Sequence, residues 1–366
     1  MSGLRVVFAG GGTGGHLYPG IAVAHRLQAR CPGTEVTFVG LRHGLEERLV
    51  PREGFPLHTV PVRALTGEAK MAQVRALGTL AVGTWQAMWV LRRLRPHLVI
   101  GAGGYVMGPA VLAATCLRLP RVIMEQNLLP GLTVRVLARY AQIVFTAFPQ
   151  TCTYLPKRRV ECTGTPIRQE ICEAGTRVAP VSDGVLHLLV FGGSQGAHRI
   201  NQALVGALPC LQEYRTRLRI VHQTGEADFA TVSQAYQKAG LHAEVHPFLY
   251  DMAARYRWAH LVVCRAGAST LAEITACGKP SILVPYPYAA NDHQRHNALA
   301  LQRQGAAQVI PDPELTGVRL ATAVQSVLTQ PDSLEQQAEH SRRLGKPQAA
   351  DAIVTSCLRL LGIVTD

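Results

Sequence analysis

The sequence is short of the features that would place a chain at once. No stretch approaches the roughly 20 apolar residues that cross a bilayer, and Met1-Ser2-Gly3-Leu4-Arg5 runs straight into an apolar segment, leaving no room for a signal peptide. The nine cysteines are an odd, scattered set with no Cys-x-x-Cys pair and no histidine pair spaced beside one. That argues against a disulfide frame or a zinc site and for reduced thiols in a cytosolic protein. No Asp-x-Asp pair is present to hold a divalent cation. Acidic residues are scarce in the first half: up to Thr163 there are 7 Asp and Glu against 19 Lys and Arg, so this half carries +12 of the total +13. A one-sided cationic surface suits a large anionic partner, either nucleic acid or a membrane face. That half lacks the interleaved aromatic platforms on which bases stack, which weakens the nucleic-acid reading.

What is abundant is glycine at the ends of apolar runs. Leu4 to Ala9 reads as a buried strand, Gly10-Gly11-Gly12-Thr13-Gly14-Gly15-His16 as a turn, and Ile21 to Arg30 as the following helix. Strand, glycine turn and helix start together form an anion site from unpaired amides and the positive end of a helix dipole. Gly10, Gly12 and Gly15 also satisfy the dinucleotide fingerprint. The acid that a nicotinamide dinucleotide needs at the end of the next strand is missing, since Glu35 to Val39 ends in Gly40-Leu41-Arg42.

Strand and helix patterns then alternate, as in a parallel sheet wound on both faces. Strands are expected at Glu35–Val39, His97–Ile100, Arg121–Met124 and Ile143–Thr146. Gly101 to Pro109 forms a second glycine loop, and Glu125-Gln126-Asn127 follows a further strand, so polar groups gather at one sheet edge. Ala76 to Leu91 carries no charge, includes Trp85, Met88 and Trp89, and is followed by Arg92, Arg93 and Arg95. Such a helix lies either in a membrane interface or in the core with its arginines against its own dipole. Half a chain later the design repeats. The strand Leu186–Phe191 delivers Gly192-Gly193-Ser194-Gln195-Gly196-Ala197 into a helix, and two later strands lead to Arg265–Glu273 and to Asn291–Asn297.

The motifs Gly-Gly-Thr-Gly-Gly-His at 11–16, Gly-Gly-Tyr at 103–105, Glu-Gln-Asn at 125–127, Gly-Gly-Ser-Gln-Gly-Ala at 192–197, Arg-x-Gly-Ala-x-Thr-x-x-Glu at 265–273 and Asp-His-Gln at 292–294 occur in one order along nearly the whole chain. Together they resemble the MurG family, the bacterial GlcNAc transferases that convert lipid I to lipid II in peptidoglycan synthesis. The resemblance implies an α/β GT-B fold of two Rossmann-like, doubly wound domains facing across a cleft. An acceptor and membrane-facing domain would span 1–163, joined by a final helix within 349–366, and a UDP-GlcNAc domain would span 164–348. It implies a peripheral enzyme of the cytoplasmic face of the inner membrane, active in cell-wall synthesis, cell shape and division, with no cofactor or metal. Its partners would be UDP-GlcNAc, undecaprenyl-linked lipid I and an anionic membrane, not nucleic acid.

Carried over by position, the resemblance sets Thr13, Gly14 and Gly15 by the pyrophosphates, Tyr105 in the binding crevice and Asn127 near the transferred sugar. Arg168, Ser194 and Gln195 would meet the donor's uracil or phosphates, and Phe248 its uracil. Ala268, Ser269 and Thr270 would face the diphosphate with help from Arg265, Glu273 would bind the ribose, and Gln294 the GlcNAc hydroxyls. Met124, Thr165 and Val134 depart from the commoner His, Asn and Asn of that pattern, around the acceptor. For the acceptor proton, His16 is the first candidate base, since imidazole titrates near neutrality; alternatively it positions the loop. Glu125 is the second candidate, with a structural acid paired to an arginine as its alternative. A UDP-GlcNAc 2-epimerase, a dinucleotide oxidoreductase and a non-catalytic binding module remain competing readings.

Overall fold

The computed structural model describes residues 3–62, 70–156, 159–175, 184–193 and 196–363, without the side chains of 70–77 and of 331. It divides into two compact units, one reaching to Arg168 and including the chain from Lys346 on, the other spanning Gln169–Gly345.

The first unit holds β1 (Arg5–Ala9), β2 (Glu35–Leu41), β3 (Leu57–Val60), β4 (Leu98–Gly101), β5 (Arg121–Glu125), β6 (Ile143–Thr146) and β7 (Val160–Cys162). They form one parallel sheet in the order β3-β2-β1-β4-β5-β6-β7. Continuous β-branched and aromatic runs make these strands because both faces are covered. Val6 and Phe8 pack with Leu17 and Ile21 of the helix Gly14–Arg30, while Val7 and Ala9 pack with Leu91 of the helix Lys70–Leu94 and Ala110 of the helix Gly108–Cys116. The last helix, Ala349–Leu360, returns to this unit. Its Ile353, Val354 and Cys357 enter the same cluster as Val6, and Arg26 Nε donates to Asp351 Oδ1 at 2.6 Å.

The second unit holds β8 (Leu186–Phe191), β9 (Leu218–Gln223), β10 (Ala243–His246), β11 (Leu261–Cys264), β12 (Ser281–Leu283) and β13 (Ala307–Val309), again all parallel, in the order β10-β9-β8-β11-β12-β13. Each sheet therefore reverses its winding once, between β1 and β4 and between β8 and β11, and a crevice opens at the carboxyl ends of those pairs.

Two expectations need correction. The first helix starts at Gly14, not Ile21, with Thr13 as its N-cap residue, so Gly14, Gly15 and His16 are its opening turn. The helix Lys70–Leu94 is neither wholly buried nor wholly interfacial: Ala87 and Leu91 are sealed in the core, whereas Trp85 and Trp89 are 68% and 57% exposed. The short strands β3, β7 and β13 carry polar residues in three- or four-residue segments and give no periodic signal.

In the second unit the helices His198–Leu211 and Gly317–Thr329 cross at Gly206 and Gly317, where a Cβ on Gly317 would overlap the Gly206 backbone. Gly317→Ala is expected to lower folding stability by about 1–3 kcal/mol, read from denaturant midpoints. An unchanged midpoint would mean that this crossing is not tight.

Candidate active site

In the first unit the crevice is built by two glycine loops locked to one another. Ala102 N–H donates to the Ala9 carbonyl at 2.7 Å, and a Cβ on Gly10 would come within 2.9 Å of the Ala102 side chain. Gly12, Gly103 and Gly104 lie at φ of 79°, 100° and 70°, in the left-handed region that glycine tolerates. Gly103 and Gly104 also clear space for a ring: a Cβ on Gly104 would sit 3.2 Å from His16 Nδ1, and one on Gly103 2.6 Å from His16 Cδ2. The half-buried His16 imidazole thus lies against the second loop, and its Nδ1 is 3.0 Å from Thr13 Oγ1. Tyr105 follows that loop, with its hydroxyl facing Gly12.

Not every loop amide is open to a ligand. Gly10 N–H donates to the Val39 carbonyl, and Gly12 N–H donates to Glu46 Oε1 at 2.7 Å. Among the described residues the amides of Gly11, Thr13 and Gly14 have no protein partner. Glu46 is absent from the sequence-based site. It lies five residues past the end of β2 and is fully buried, with its carboxylate under the glycine loop.

Glu125 ends β5 at the same sheet edge and is 4% exposed. Oε1 accepts from Asn127 N–H at 2.9 Å and from Asn127 Nδ2 at 3.2 Å, and Oε2 accepts from Gly131 N–H at 3.0 Å. Both oxygens are committed to amides, so the expected arginine partner is replaced by the Asn127–Gly131 loop. Burial pushes this carboxyl up to about 7, against the opposing pull of those donors. Neighbouring Gln126 is buried, donates to the Ala102 carbonyl and crowds the same point beside Gly103 as His16 does. Arg168 stays with the first unit, its guanidinium 5.5 Å from the centre of the Tyr18 ring.

The second unit repeats the arrangement with different chemistry. Gly196 at φ 76° lies against the Thr224 carbonyl so closely that a Cβ would overlap it, while Ser194 and Gln195 fall outside the described residues. The helix Ala268–Ala276 opens after Gly267 with no side-chain cap, and the Ala268 and Thr270 amides have no partner among the described residues. One turn on, Glu273 Oε2 accepts from the buried Tyr256 hydroxyl at 3.0 Å, which fixes the carboxylate. Gln294 Oε1 accepts from both Ala266 N–H and Tyr286 N–H and so ties the β11 and β12 loops. Arg265 is committed as a strut: Nη1 donates to the Val284 and Pro285 carbonyls and pairs with Asp312 at 2.6 Å. Phe248 is 39% exposed beside Tyr250, and Tyr286 stands edge-on to Tyr288.

The glycosyltransferase family 28 N-terminal domain matches residues 6–146, and the glycosyltransferase family 28 C-terminal domain matches residues 187–353. The chain is 46% identical over 359 residues to the UDP-N-acetylglucosamine–N-acetylmuramyl-(pentapeptide) pyrophosphoryl-undecaprenol N-acetylglucosamine transferase of Geotalea uraniireducens, covering 97% of this chain and 98% of that one. It is 45% identical over 353 residues to the enzyme of the same name from Geobacter sulfurreducens, covering 96% and 97%. Among solved structures, Acinetobacter baumannii MurG superposes with a TM-score of 0.81 at 32% identity, covering 97% of this chain and 99% of that one. UDP-GlcNAc 2-epimerase from Neisseria meningitidis shares the fold alone, with a TM-score of 0.66 at 14% identity, covering 97% and 99%.

The raised Glu125 carboxyl carries a pH signature. Between about 4.5 and about 7 the folded chain keeps a proton that the unfolded chain has released, so this group's contribution to stability falls as pH rises through that window and is constant above it. The loss amounts to up to roughly 3 kcal/mol. Glu125→Gln removes the titration, so the stability of this variant relative to the native chain should climb from pH 4.5 to 7. Parallel unfolding curves across that range would contradict it.

Proposed function

Given that the chain belongs to glycosyltransferase family 28, among its UDP-N-acetylglucosamine–N-acetylmuramyl-(pentapeptide) pyrophosphoryl-undecaprenol N-acetylglucosamine transferases, we propose that it works as these relatives do. It transfers GlcNAc from UDP-GlcNAc to the C4 hydroxyl of the MurNAc of lipid I, giving lipid II with inversion at the sugar. The observation that carries this is the 46% identity over 97% of the chain, against the fold-only likeness to the epimerase.

In this reading the acceptor oxygen bonds to C1 of GlcNAc as the bond from C1 to the diphosphate breaks, and the hydroxyl proton passes to His16. With Nδ1–H donating to Thr13 Oγ1, the lone pair for that proton is on Nε2. The close packing of the ring on Gly103 and Gly104 supports the assignment, because it holds the base in one orientation. Glu125 then serves by holding Asn127, not as the base. The charge growing on the leaving UDP meets the start of the helix Ala268–Ala276, whose Ala268 and Thr270 amides are unpartnered among the described residues. Glu273 takes the ribose hydroxyls, its carboxylate held by Tyr256, and Phe248 stacks on the uracil. Gln294 offers its amide nitrogen to the GlcNAc hydroxyls while its oxygen holds two loops in place. Arg265 acts through those loops.

The membrane reading rests on the first unit's surface. Val82, Trp85 and Trp89 share one exposed helical face, and Leu132, Val136 and Tyr140 form a second exposed stripe. Beside the second stripe lies an apolar cavity of about 140 Å³ lined by Leu80, Leu112, Leu132 and Val136 and reaching Tyr105. Arg92, Arg93, Arg135 and Arg139 are exposed around these stripes, with Arg93 over the Trp89 ring. Apolar residues rimmed by arginines suit the anionic inner leaflet and a lipid-borne acceptor. No helix among the described residues is long and apolar enough to cross a membrane.

Acceptor-dependent release of UDP from UDP-GlcNAc and a lipid I analogue tests the activity. His16→Ala should lower kcat by about 100-fold or more with little change in UDP-GlcNAc affinity, and full turnover would remove His16 from the mechanism. Replacing Trp85 and Trp89 together by Ser should weaken cosedimentation with vesicles containing anionic lipid; undiminished binding would refute the membrane-facing assignment.

A further inference from the structure

We infer that Glu46 is a positioning residue for the reaction: from beneath the first glycine loop its carboxylate sets the loop's shape, and through it the stance of Thr13 and His16. The inference rests on the activity proposed above but stands on separate geometry. Glu46 is fully buried, and Oε1 accepts the Gly12 amide at 2.7 Å. Gly12 sits at φ 79°, so this bond pins the loop at a glycine in the left-handed region, one step before the helix cap Thr13.

The surroundings are shaped for this one side chain. A Cβ on Gly11 would overlap the Glu46 carboxylate, one on Gly44 would overlap Oε2, and one on Gly40 would come within 3.0 Å of Cγ. Three glycines from three segments thus surround one glutamate. Oε2 has no partner among the described residues, and no cation pairs with the group there. A buried acid held by a single amide adds little to stability, since its desolvation offsets the bond. What it does is take one amide out of the ligand-facing set and leave those of Gly11, Thr13 and Gly14. If Gly12 were released, the loop could swing, and Thr13 Oγ1 would no longer be held 3.0 Å from His16 Nδ1.

Two glutamate variants and one glycine variant separate this role from packing. Glu46→Gln keeps an oxygen for the Gly12 amide, whereas Glu46→Ala removes it. Gly44→Ala, at a position with ordinary backbone angles, crowds Oε2 and displaces the carboxylate without touching the loop. Glu46→Ala should lower kcat by about 10- to 100-fold, as misplacement of a reacting group does, with the KM for UDP-GlcNAc unchanged. Glu46→Gln should recover most of that loss. Gly44→Ala should resemble Glu46→Ala, and the double variant should be no worse than Glu46→Ala alone, because the crowded group is gone. Amide hydrogen exchange over residues 10–16 reads the same bond without any substrate: it should quicken in Glu46→Ala and in Gly44→Ala and stay native in Glu46→Gln. Native exchange in Glu46→Ala would overturn the inference, as would native kcat in an otherwise active enzyme or a Gln variant as impaired as the Ala variant. Absence of transfer by the unmodified protein would instead refute the proposed activity and leave the exchange result to decide the role of Glu46.

Discussion

A single steric condition recurs in both sheets: at the carboxyl ends of neighbouring central strands, one loop's backbone passes against the next loop with no room for a side chain. After β1 and β4 this brings Gly10 onto Ala102, and after β8 and β9 it brings Gly196 onto the Thr224 carbonyl. The helices that follow these passes, Gly14–Arg30 and His198–Leu211, begin at that sheet edge, as Ala268–Ala276 does after β11. A helix start without side-chain caps is a cost to folding that a ligand oxygen offsets. The helices beginning at Gly14 and Ala268 both lack such caps.

The two units use the same backbone device for different chemistry. In the first, a glutamate occupies one amide, a histidine is wedged against two glycines, and exposed apolar stripes lie on neighbouring helices. In the second, the helix start is left open, a tyrosine steadies an acid, and exposed aromatics stand on adjoining loops. The first arrangement suits a base and a lipid-borne acceptor, the second a nucleotide and its diphosphate. Several polar residues near the crevices act on loops: Glu125 holds Asn127 and Gly131, Gln294 joins two backbone amides, and Arg265 braces β11 against Asp312. Such groups keep the ligand-facing atoms still, which is where much of an enzyme's electrostatic advantage arises.

Much of this was legible in the chain itself. Buried apolar runs such as Val6-Val7-Phe8 and Leu188-Leu189-Val190 announce central parallel strands, because only a doubly covered sheet keeps successive residues out of water. Glycines directly after those runs mark the crevice, and the ordered motifs identify the family. Edge strands such as Val160–Cys162 were illegible for the converse reason: three partly exposed residues are too few to show a period, and only the pairing with β6 defines the strand.

Tertiary structure alone decided which polar groups face a ligand and which face the protein. Nothing near Glu46 in the sequence says that it turns under a loop 34 residues earlier, and nothing near Arg265 says that its partner is Asp312. Hydrophobic periodicity is a local property, set by which face of an element meets water, and so it can be read from one segment. A buried carboxylate or guanidinium must instead find its hydrogen-bond partners wherever the fold brings them, and that location is a property of the packed whole.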